Sequence, residues 1–339
     1  MSDGGQPPNP ETISRLQAGV SPALALLAGM QLDVFTPLAG GSRTAAEVAA
    51  SLGVREERLS RLLYALVSAG LLRHENGRFA NSEEASVFLV RGEPRYMGGS
   101  HELMSDLWRA DLRTAESIRT GMPAALHDFS AMDDVALAAF LRGLFPFAIS
   151  TGRELAERFD FTGRASVIDV GGGSGATLMG LLESNVQSRG TVFELSRVAS
   201  VAKSMISQTA FADRIDVQVG DIVAGPPVGL YDAAILRALV QVLSPRDAAQ
   251  AIDHACRCLR PGGTIYITGA GIIEDDRLTP AAAAYLNLTL MNFYPQGAAY
   301  TVSEHFAWLT GAGCTDPRRV TLSTGSGLIC ATKVNKAAP

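Results

Sequence analysis

A glycine-rich stretch in the middle of the chain, ASVIDVGGGSG at positions 165–175, constrains the fold more than any other feature. Val167, Ile168 and Val170 are β-branched and apolar, so the first half is typical of a strand buried on both faces. Four glycines follow, and the apolar residues 176–182 favour a helix. A strand, a glycine turn and a helix form the first unit of a doubly wound α/β nucleotide-binding fold.

The spacing of these glycines, G-x-G-x-G at positions 171–175, differs from the G-x-G-x-x-G of dinucleotide enzymes. Asp169 stands near the end of the preceding strand, and the next predicted strand, 191–194, ends on Glu194. A carboxylate about 20 residues beyond the glycines can accept hydrogen bonds from a ribose diol. Glycines also let the backbone approach a ligand closely, and a helix start offers free N–H groups. We therefore predict a cofactor that contains a nucleoside.

The rest of this half alternates regularly between predicted strands and helices. Further strands are expected at 215–219, 232–236 and 264–268, and the chain closes with a hairpin of 319–322 and 328–332. The predicted fold class is α/β, a doubly wound, mostly parallel, Rossmann-like sheet that ends in an antiparallel hairpin. Such sheets bind ligands at the carboxyl ends of their strands, where Gly171, Glu194, Asp221 and Arg237 all fall.

The first half of the chain has a different pattern. Positions 1–10 are rich in Gly, Pro and Asn, which is typical of a disordered tail, and 13–38 is a nearly continuous apolar helix. A capping box, Thr44 to Glu47, begins a short helix. A second helix over 55–72 and a hairpin about Asn76-Gly77 follow, so this part is similar to a winged helix. We predict a tail at 1–10, a helical domain at 11–160 and an α/β domain at 161–335.

Charge and composition narrow the function classes. The net charge is −5, and the second helix sets Glu56 and Glu57 against Arg55, Arg58 and Arg61. These charges nearly cancel, so the second helix lacks the basic surface that binds nucleic acid. We therefore interpret the winged helix as a protein-interaction module. The sequence contains no run of about 20 apolar residues that would predict a membrane span. The four cysteines do not form a disulfide pattern, which favours buried thiols, no metal site and a cytoplasmic location.

Five short segments of the second half together carry a family resemblance. They are V-I-D-V-G-G-G-S-G, F-E-L, V-G-D-I, A-I-L-R and L-R-P-G-G. These resemble the class I S-adenosylmethionine-dependent methyltransferases. With the N-terminal module and A-A-Y-T-V-S-E-H-F, residues 13–333 resemble small-molecule O-methyltransferases of the caffeate, acetylserotonin and bacterial polyketide type. The resemblance implies S-adenosylmethionine as cofactor, a small-molecule substrate and a homodimer formed through the winged-helix domain.

The same resemblance implies roles for individual residues. The backbone at Gly171 and Gly173 would face the methionine part of the cofactor, and Glu194 would hold the ribose hydroxyls in place of the family's more usual Asp. The adenine would be flanked by Leu195, Asp221 and Ile222. Arg237 stands where many relatives have a Lys. Asp169 completes the predicted cofactor site.

The catalytic positions depart from the family pattern. Relatives carry a His general base where this chain has Gln241, and Leu243 replaces a Trp two residues later. Gly269 and Ala299 stand where plant relatives have two Glu residues that orient the His. Gln241 can orient a hydroxyl or carbonyl group, but it cannot take a proton at neutral pH. We therefore expect methyl transfer that depends on proximity and on a hydroxyl that is already acidic.

Three alternatives to O-methylation by proximity stay open at the level of sequence. The first is C-methylation of an electron-rich carbon with Gln241 holding a neighbouring oxygen. The second is a protein that binds the cofactor without transferring methyl. The third, a ligand-sensing DNA-binding regulator, is disfavoured by the near-neutral second helix. Replacement bases could come from His101, His127, His305, Tyr294 and Tyr300, and an apolar wall for a flat substrate from Phe145, Phe147, Met291, Phe293 and Tyr294.

Overall fold

The computed structural model describes residues 9–129 and 131–334, which form two compact units divided between Met104 and Ser105. Most of the predicted tail therefore lies outside the described residues. The unit boundary precedes the predicted domain boundary after residue 160. The physical reason is that residues 105–160 contain the helix that packs against the glycine-turn helix of the α/β sheet.

The first unit is a small helical domain with one hairpin. Its helices are α1 (Glu11–Ala18), α2 (Val20–Gln31), α3 (Ala45–Leu52), α4 (Glu56–Ser68) and α5 (Glu83–Phe88), and its strands are β1 (Leu72–Glu75) and β2 (Arg78–Asn81). The predicted capping box is present, since Glu47 N–H donates to Thr44 Oγ1 and the Glu47 carboxylate accepts from Thr44 N–H. Asn76 and Gly77 turn the hairpin with φ of 51° and 74°, as a type I′ turn requires. A helix–turn–helix followed by a hairpin confirms the winged-helix prediction.

The single helix predicted over 13–38 is wrong in its length. Residues 11–31 instead form α1 and α2, and a 3₁₀ turn follows at Thr36–Leu38. The chain leaves α2 at Asp33, whose φ of 55° is left-handed and cannot continue an α-helix. Leu16, Val20 and Leu24 are half or more exposed, although all three are apolar.

The second unit begins with helices and continues as an α/β sheet. Its helices are α6 (His101–Asp111, which the unit boundary divides), α7 (Thr114–Thr120), α8 (Asp134–Arg158), α9 (Ala176–Leu182), α10 (Ser196–Ile206), α11 (Pro245–Arg257), α12 (Ala281–Phe293) and α13 (Val302–Gly311). Its strands are β3 (Ser166–Val170), β4 (Arg189–Glu194), β5 (Ile215–Val219), β6 (Tyr231–Arg237), β7 (Leu259–Gly269), β8 (Ile272–Ile273), β9 (Tyr300–Thr301), β10 (Cys314–Thr321) and β11 (Gly327–Lys333).

Among the described residues, seven strands form one sheet in the order β10-β11-β7-β6-β3-β4-β5. Strands β7 to β5 in this order are parallel, whereas β11 pairs antiparallel with both β7 and β10. Two apolar clusters cover the two faces of the sheet. This confirms the predicted α/β class and its closing hairpin. The carboxyl ends of β3, β4 and β6 meet at one edge, where the cofactor residues were predicted.

Helix α8 crosses the glycine-turn helix α9 at two glycines. A Cβ at Gly152 would lie 2.0 Å from the carbonyl oxygen of Thr177, and one at Gly180 would lie 2.2 Å from that of Ile149. The two backbones can approach this closely only because neither residue has a side chain. Among the described helices, α8 alone has the length and apolar composition to cross a membrane, and one such helix is weak evidence for a membrane protein.

All four cysteines are buried free thiols, as predicted. The cytoplasmic location inferred from them stays a prediction.

Candidate active site

The glycine turn at the end of β3 needs its glycines for two different reasons. Gly171 and Gly173 have φ of +67° and +53°, a left-handed backbone that favours glycine. Gly172 has an ordinary φ but no room, because a Cβ there would lie 2.7 Å from Cγ of Asp169. The turn is therefore bare backbone that leads directly into the N-terminus of α9.

Glu194, the last residue of β4, is tied to this turn. Its Oε1 accepts a hydrogen bond of 3.1 Å from Gly173 N–H, and its Oε2 accepts one of 2.8 Å from Leu195 N–H. Burial raises the pKa of the Glu194 carboxyl, and the two backbone donors oppose that rise. Each carboxylate oxygen keeps a further acceptor site, so the residue can still bind a diol.

Asp169 and Arg237 lie beneath the turn at the ends of β3 and β6. Asp169 is fully buried, and within the described residues neither of its carboxylate oxygens has a hydrogen bond of normal geometry. Burial raises its pKa to about 7, against the charge of Arg237 and the nearby Thr177 hydroxyl. Arg237 Nε lies 3.4 Å from Thr151 Oγ1. Burial lowers the pKa of this guanidinium, and Asp169 opposes that shift.

The predicted adenine residues follow β4 and β5. Leu195 is 44% exposed at the start of α10. Asp221 is exposed, and its Oδ1 accepts a hydrogen bond of 2.8 Å from Val223 N–H. Ile222 is buried in the apolar cluster on one face of the sheet, and its carbonyl accepts a hydrogen bond of 2.7 Å from His254 Nδ1.

This set of residues fits a cofactor with a nucleoside and a charged amino acid. The turn offers bare backbone, Glu194 offers acceptor sites for hydroxyls, and the buried Asp169 carboxylate makes no hydrogen bond of normal geometry in the described chain. The roles of the individual residues stay predictions. What the structure shows is that the ends of β3, β4 and β6 bring Gly171, Glu194 and Arg237 together.

Gln241 lies in a 3₁₀ turn, Val240–Val242, after β6. Its side-chain Oε1 accepts a hydrogen bond of 2.9 Å from Gly271 N–H, and its backbone carbonyl accepts one of 3.0 Å from Ala298 N–H. Within the described part of the chain, its Nε2 donates to no protein acceptor. The amide is thus fixed at its oxygen, and its two N–H donors are left for another partner.

Gly269 and Gly271 have no side chains at the positions against which the Gln241 side chain packs. A Cβ at Gly269 would lie 2.7 Å from Gln241 Oε1, and a Cβ at Gly271 would lie 2.8 Å from the same atom. Ala299 is buried, and its N–H donates to Asn287 Oδ1. Neither position offers a carboxylate that could orient an imidazole. Positions 241, 269 and 299 therefore hold an amide, a glycine and an alanine. That they correspond to the His and the two acids of relatives stays a prediction.

An aromatic cluster lies at the end of α12. The His127 ring has its centroid 4.0 Å from that of Phe293 and 6.0 Å from that of Tyr294, and Phe129 and Phe140 complete the group. Burial raises the pKa of Tyr294. The structure therefore joins two of the predicted wall residues, Phe293 and Tyr294, to a histidine.

The other predicted wall residues lie elsewhere on the same elements. Phe145 packs against the apolar cluster that contains Leu155 and Phe161. Phe147 and Met291 are partly buried in α8 and α12. Their place in a substrate wall stays a prediction.

The remaining candidate bases mostly have structural partners. His305 is buried, and its Nδ1–H donates to the carbonyl of Thr301 at 2.8 Å. The Tyr300 hydroxyl donates to the carbonyl of Leu243 at 2.6 Å. His101 belongs to the first unit, at the start of α6. His127 differs from these, since its Nδ1 is buried without a partner among the described residues.

Two residues of this site were missed in the sequence. Asp106 forms a hydrogen bond with His127, which lies 21 positions further along the chain. Gly297 separates Tyr294 from Gln241, since a Cβ there would lie 2.8 Å from Tyr294 Cβ and 3.0 Å from the Gln241 carbonyl oxygen. Nothing in the local pattern marks Asp106. A glycine after the aromatic pair was the single available signal.

Comparison with known proteins places this geometry in a family. An O-methyltransferase domain model matches residues 115–315, and an O-methyltransferase dimerisation domain model matches residues 15–91. The chain belongs to this O-methyltransferase family. The predicted family, methyltransferase activity and S-adenosylmethionine cofactor are thereby confirmed.

Individual relatives align with this chain over nearly its whole length. The chain is 30% identical to a 3-hydroxy-5-methyl-1-naphthoate 3-O-methyltransferase from Streptomyces sahachiroi, over 98% of this chain and 99% of the relative. It is 28% identical to the tetracenomycin polyketide synthesis 8-O-methyl transferase TcmO from Streptomyces glaucescens, over 93% and 94%. Human N-acetylserotonin methyltransferase, solved with S-adenosylmethionine, shares the fold, with a TM-score of 0.83, 22% identity and coverage of 98% and 100%.

Proposed function

We propose that this methyltransferase acts on an acidic hydroxyl group of a flat aromatic or polyketide-type natural product, with no proton acceptor at position 241. The observation that carries the proposal is the fixed amide of Gln241, whose oxygen is held by Gly271 and whose Nε2 has no protein acceptor among the described residues. The naphthoate and tetracenomycin names of the relatives support the substrate class.

The cofactor supplies an electrophilic methyl group on a sulfonium. The chain's own residues then bind and position the substrate. The Gln241 amide donates to an oxygen beside the reacting hydroxyl, and the Tyr294 ring, which packs beside the buried Phe293, offers an apolar surface. Holding reactants in line supplies several kcal/mol of barrier reduction, whereas a general base adds only about 10²–10⁴-fold. A hydroxyl that ionises readily does not need a general base.

The substrate class is tested by mass spectrometry of cofactor turnover against matched phenols, enols and β-keto compounds. We expect O-methylated products, formed faster from the more acidic member of each pair. Product NMR that places the methyl group on carbon would contradict the proposal, as would cofactor binding without any transfer. A gel-shift with genomic fragments tests the disfavoured regulator alternative, and we expect no shift.

We also propose that the enzyme is a homodimer formed through its first unit. The match to a dimerisation domain supports this, and so does the exposure of Leu16 and Leu24, which are 59% and 50% accessible in the single chain. Apolar side chains in a row along two helices are typical of a surface that a partner covers.

A further inference from the structure

His127 lies in the segment between α7 and α8 and is fixed from two sides. Its backbone N–H donates to the carbonyl of Phe293 at 3.1 Å, and Ala125 N–H donates to that of Asn292 at 2.9 Å. Its side chain is only 7% exposed, and its Nε2 lies 2.9 Å from Oδ2 of Asp106. The imidazole is therefore held in one place and in one orientation.

The Asp106 contact decides which nitrogen carries the proton. A carboxylate accepts, so Nε2–H donates and Nδ1 keeps its lone pair in the neutral ring. Burial lowers the pKa of His127, although the hydrogen bond and charge of Asp106 oppose the shift. The neutral form therefore dominates at neutral pH. Its acceptor atom, Nδ1, is buried and has no partner in the described chain.

Among residues 9–129 and 131–334, no group donates a hydrogen bond to Nδ1. Three of its four aromatic neighbours are Phe129, Phe140 and Phe293, and the fourth is Tyr294. A buried acceptor without a donor is costly, and native proteins keep few of them without a ligand or a catalytic role.

The same cluster borders both halves of the active site. Leu141, the neighbour of Phe140 in α8, lies against the glycine turn, since a Cβ at Gly173 would be 3.1 Å from its Cδ2. Tyr294 is next to Gln241 across Gly297. The packed cluster around His127, which includes Leu141, thus extends from the glycine turn to Gln241.

We propose that His127 Nδ1 accepts a hydrogen bond from a second hydroxyl of the substrate and so selects hydroxylated aromatic compounds. This inference rests on the proposed function, since it names a specificity contact for that reaction. His127 acts here in binding, and Asp106 is a positioning residue that fixes its tautomer. The substrate then carries two oxygen groups, one that is methylated and one that donates to the imidazole.

Acid should weaken this contact. In the part of the chain that the structure describes, the titratable groups that face the ring are Asp106 from α6 and Tyr294 from α12. Neither can replace the acceptor once Nδ1 is protonated. As pH falls through the lowered pKa of His127, KM for a dihydroxy substrate should rise while kcat stays nearly constant.

The first test needs no substrate. In ¹⁵N-histidine NMR of the full chain at pH 7.5, assigned with His127→Phe, we expect His127 to be neutral with the proton on Nε2. A protonated Nδ1 at this pH would overturn the proposal. Asp106→Asn should shift the ring toward a mixture of tautomers.

The second test uses two probes, a dihydroxynaphthoate and its monohydroxy analogue that keeps the reacting hydroxyl. His127→Phe preserves the aromatic shape, and it should raise KM of the dihydroxy compound about 3- to 10-fold without changing that of its analogue. His127→Asn, which keeps an acceptor near the Nδ1 position, should restore part of the difference. His74→Phe, in the hairpin of the first unit, is the matched control and should change neither value.

The outcomes separate this inference from the proposed function. Equal effects of His127→Phe on both compounds would overturn the specificity contact and leave the methylation intact. A loss of more than about 10³-fold in kcat would make His127 a base and would also overturn methylation by proximity. If neither naphthoate is methylated, the proposed substrate class fails, whereas a protonated Nδ1 in the NMR experiment would overturn the His127 contact separately.

Discussion

Glu194 holds the glycine turn and the predicted ribose site with one carboxylate. Its two oxygens accept hydrogen bonds from Gly173 N–H and Leu195 N–H. Glu194→Ala should therefore weaken binding of S-adenosylhomocysteine by about 1–3 kcal/mol in calorimetry. Glu194→Gln keeps one acceptor oxygen and should lose less. Unchanged affinity in both variants would remove Glu194 from the cofactor site.

Asp169 should make stability depend on pH. Its pKa in the fold is about 7, well above the usual value for Asp, so the folded chain keeps a proton that the unfolded chain releases. Stability from this group is present at low pH and is lost as pH rises from about 4 to 7, by up to a few kcal/mol.

The test is the free energy of unfolding of the cofactor-free protein and of Asp169→Asn. The variant should be more stable than the parent at pH 8, and the gain should shrink toward pH 5. An equal difference at the two pH values would show that the carboxyl does not titrate in this range.

At the scale of elements, the crossing of α8 and α9 sets the position of the glycine turn. Gly180→Ala would push a methyl group against the carbonyl of Ile149, 2.2 Å away, and should cost about 1–3 kcal/mol of unfolding free energy. Gly311→Ala, in a helix with free space around the added atom, is the control and should be neutral. Equal denaturation midpoints for both variants would mean that helices α8 and α9 can move apart at their crossing without loss of stability.

The elements themselves were largely predictable from local patterns. Helix α9 has the predicted bounds, and the strand pattern followed from β-branched runs between turn residues. The apolar stripe over 13–38 misled because periodicity does not register a left-handed residue such as Asp33. Local sequence also cannot show that α8 joins the α/β unit, since that depends on two glycines meeting across a helix crossing.

At the scale of the whole molecule, association should depend on the apolar row of the first unit. A Leu16→Glu and Leu24→Glu double variant places charges in the proposed interface and should yield monomers in light scattering. Such an interface should bury more than about 2,000 Å². Gln17→Glu, on the same helix, should stay a dimer. A double variant that remains dimeric would locate the contact elsewhere.

The site was predictable in its composition but not in its contacts. Gly171, Glu194 and Arg237 follow from the rule that strand ends converge. The bond from Gly271 to Gln241 and the pair of Asp106 with His127 arise between distant segments, where spacing carries no signal. Both contacts depend on the tertiary fold and could not be predicted from the sequence.

The absence of a base at position 241 predicts a particular pH profile. With no titrating group there, kcat at saturating substrate should follow the ionisation of the bound substrate itself. Gln241→Ala should lose a hydrogen bond, about 0.5–1.5 kcal/mol, mainly in substrate binding. Gln241→His alone should not create a fast phenol methyltransferase, because Gly269 and Ala299 cannot orient an imidazole.

The most direct measurement is therefore kcat against pH for the parent and Gln241→Ala, each with two substrates whose hydroxyl groups differ in pKa. We predict that the inflection of the profile moves with the pKa of the substrate and is the same in both proteins. An inflection that stays near pH 6–7 with both substrates would reveal a base on the enzyme and would contradict methyl transfer by proximity.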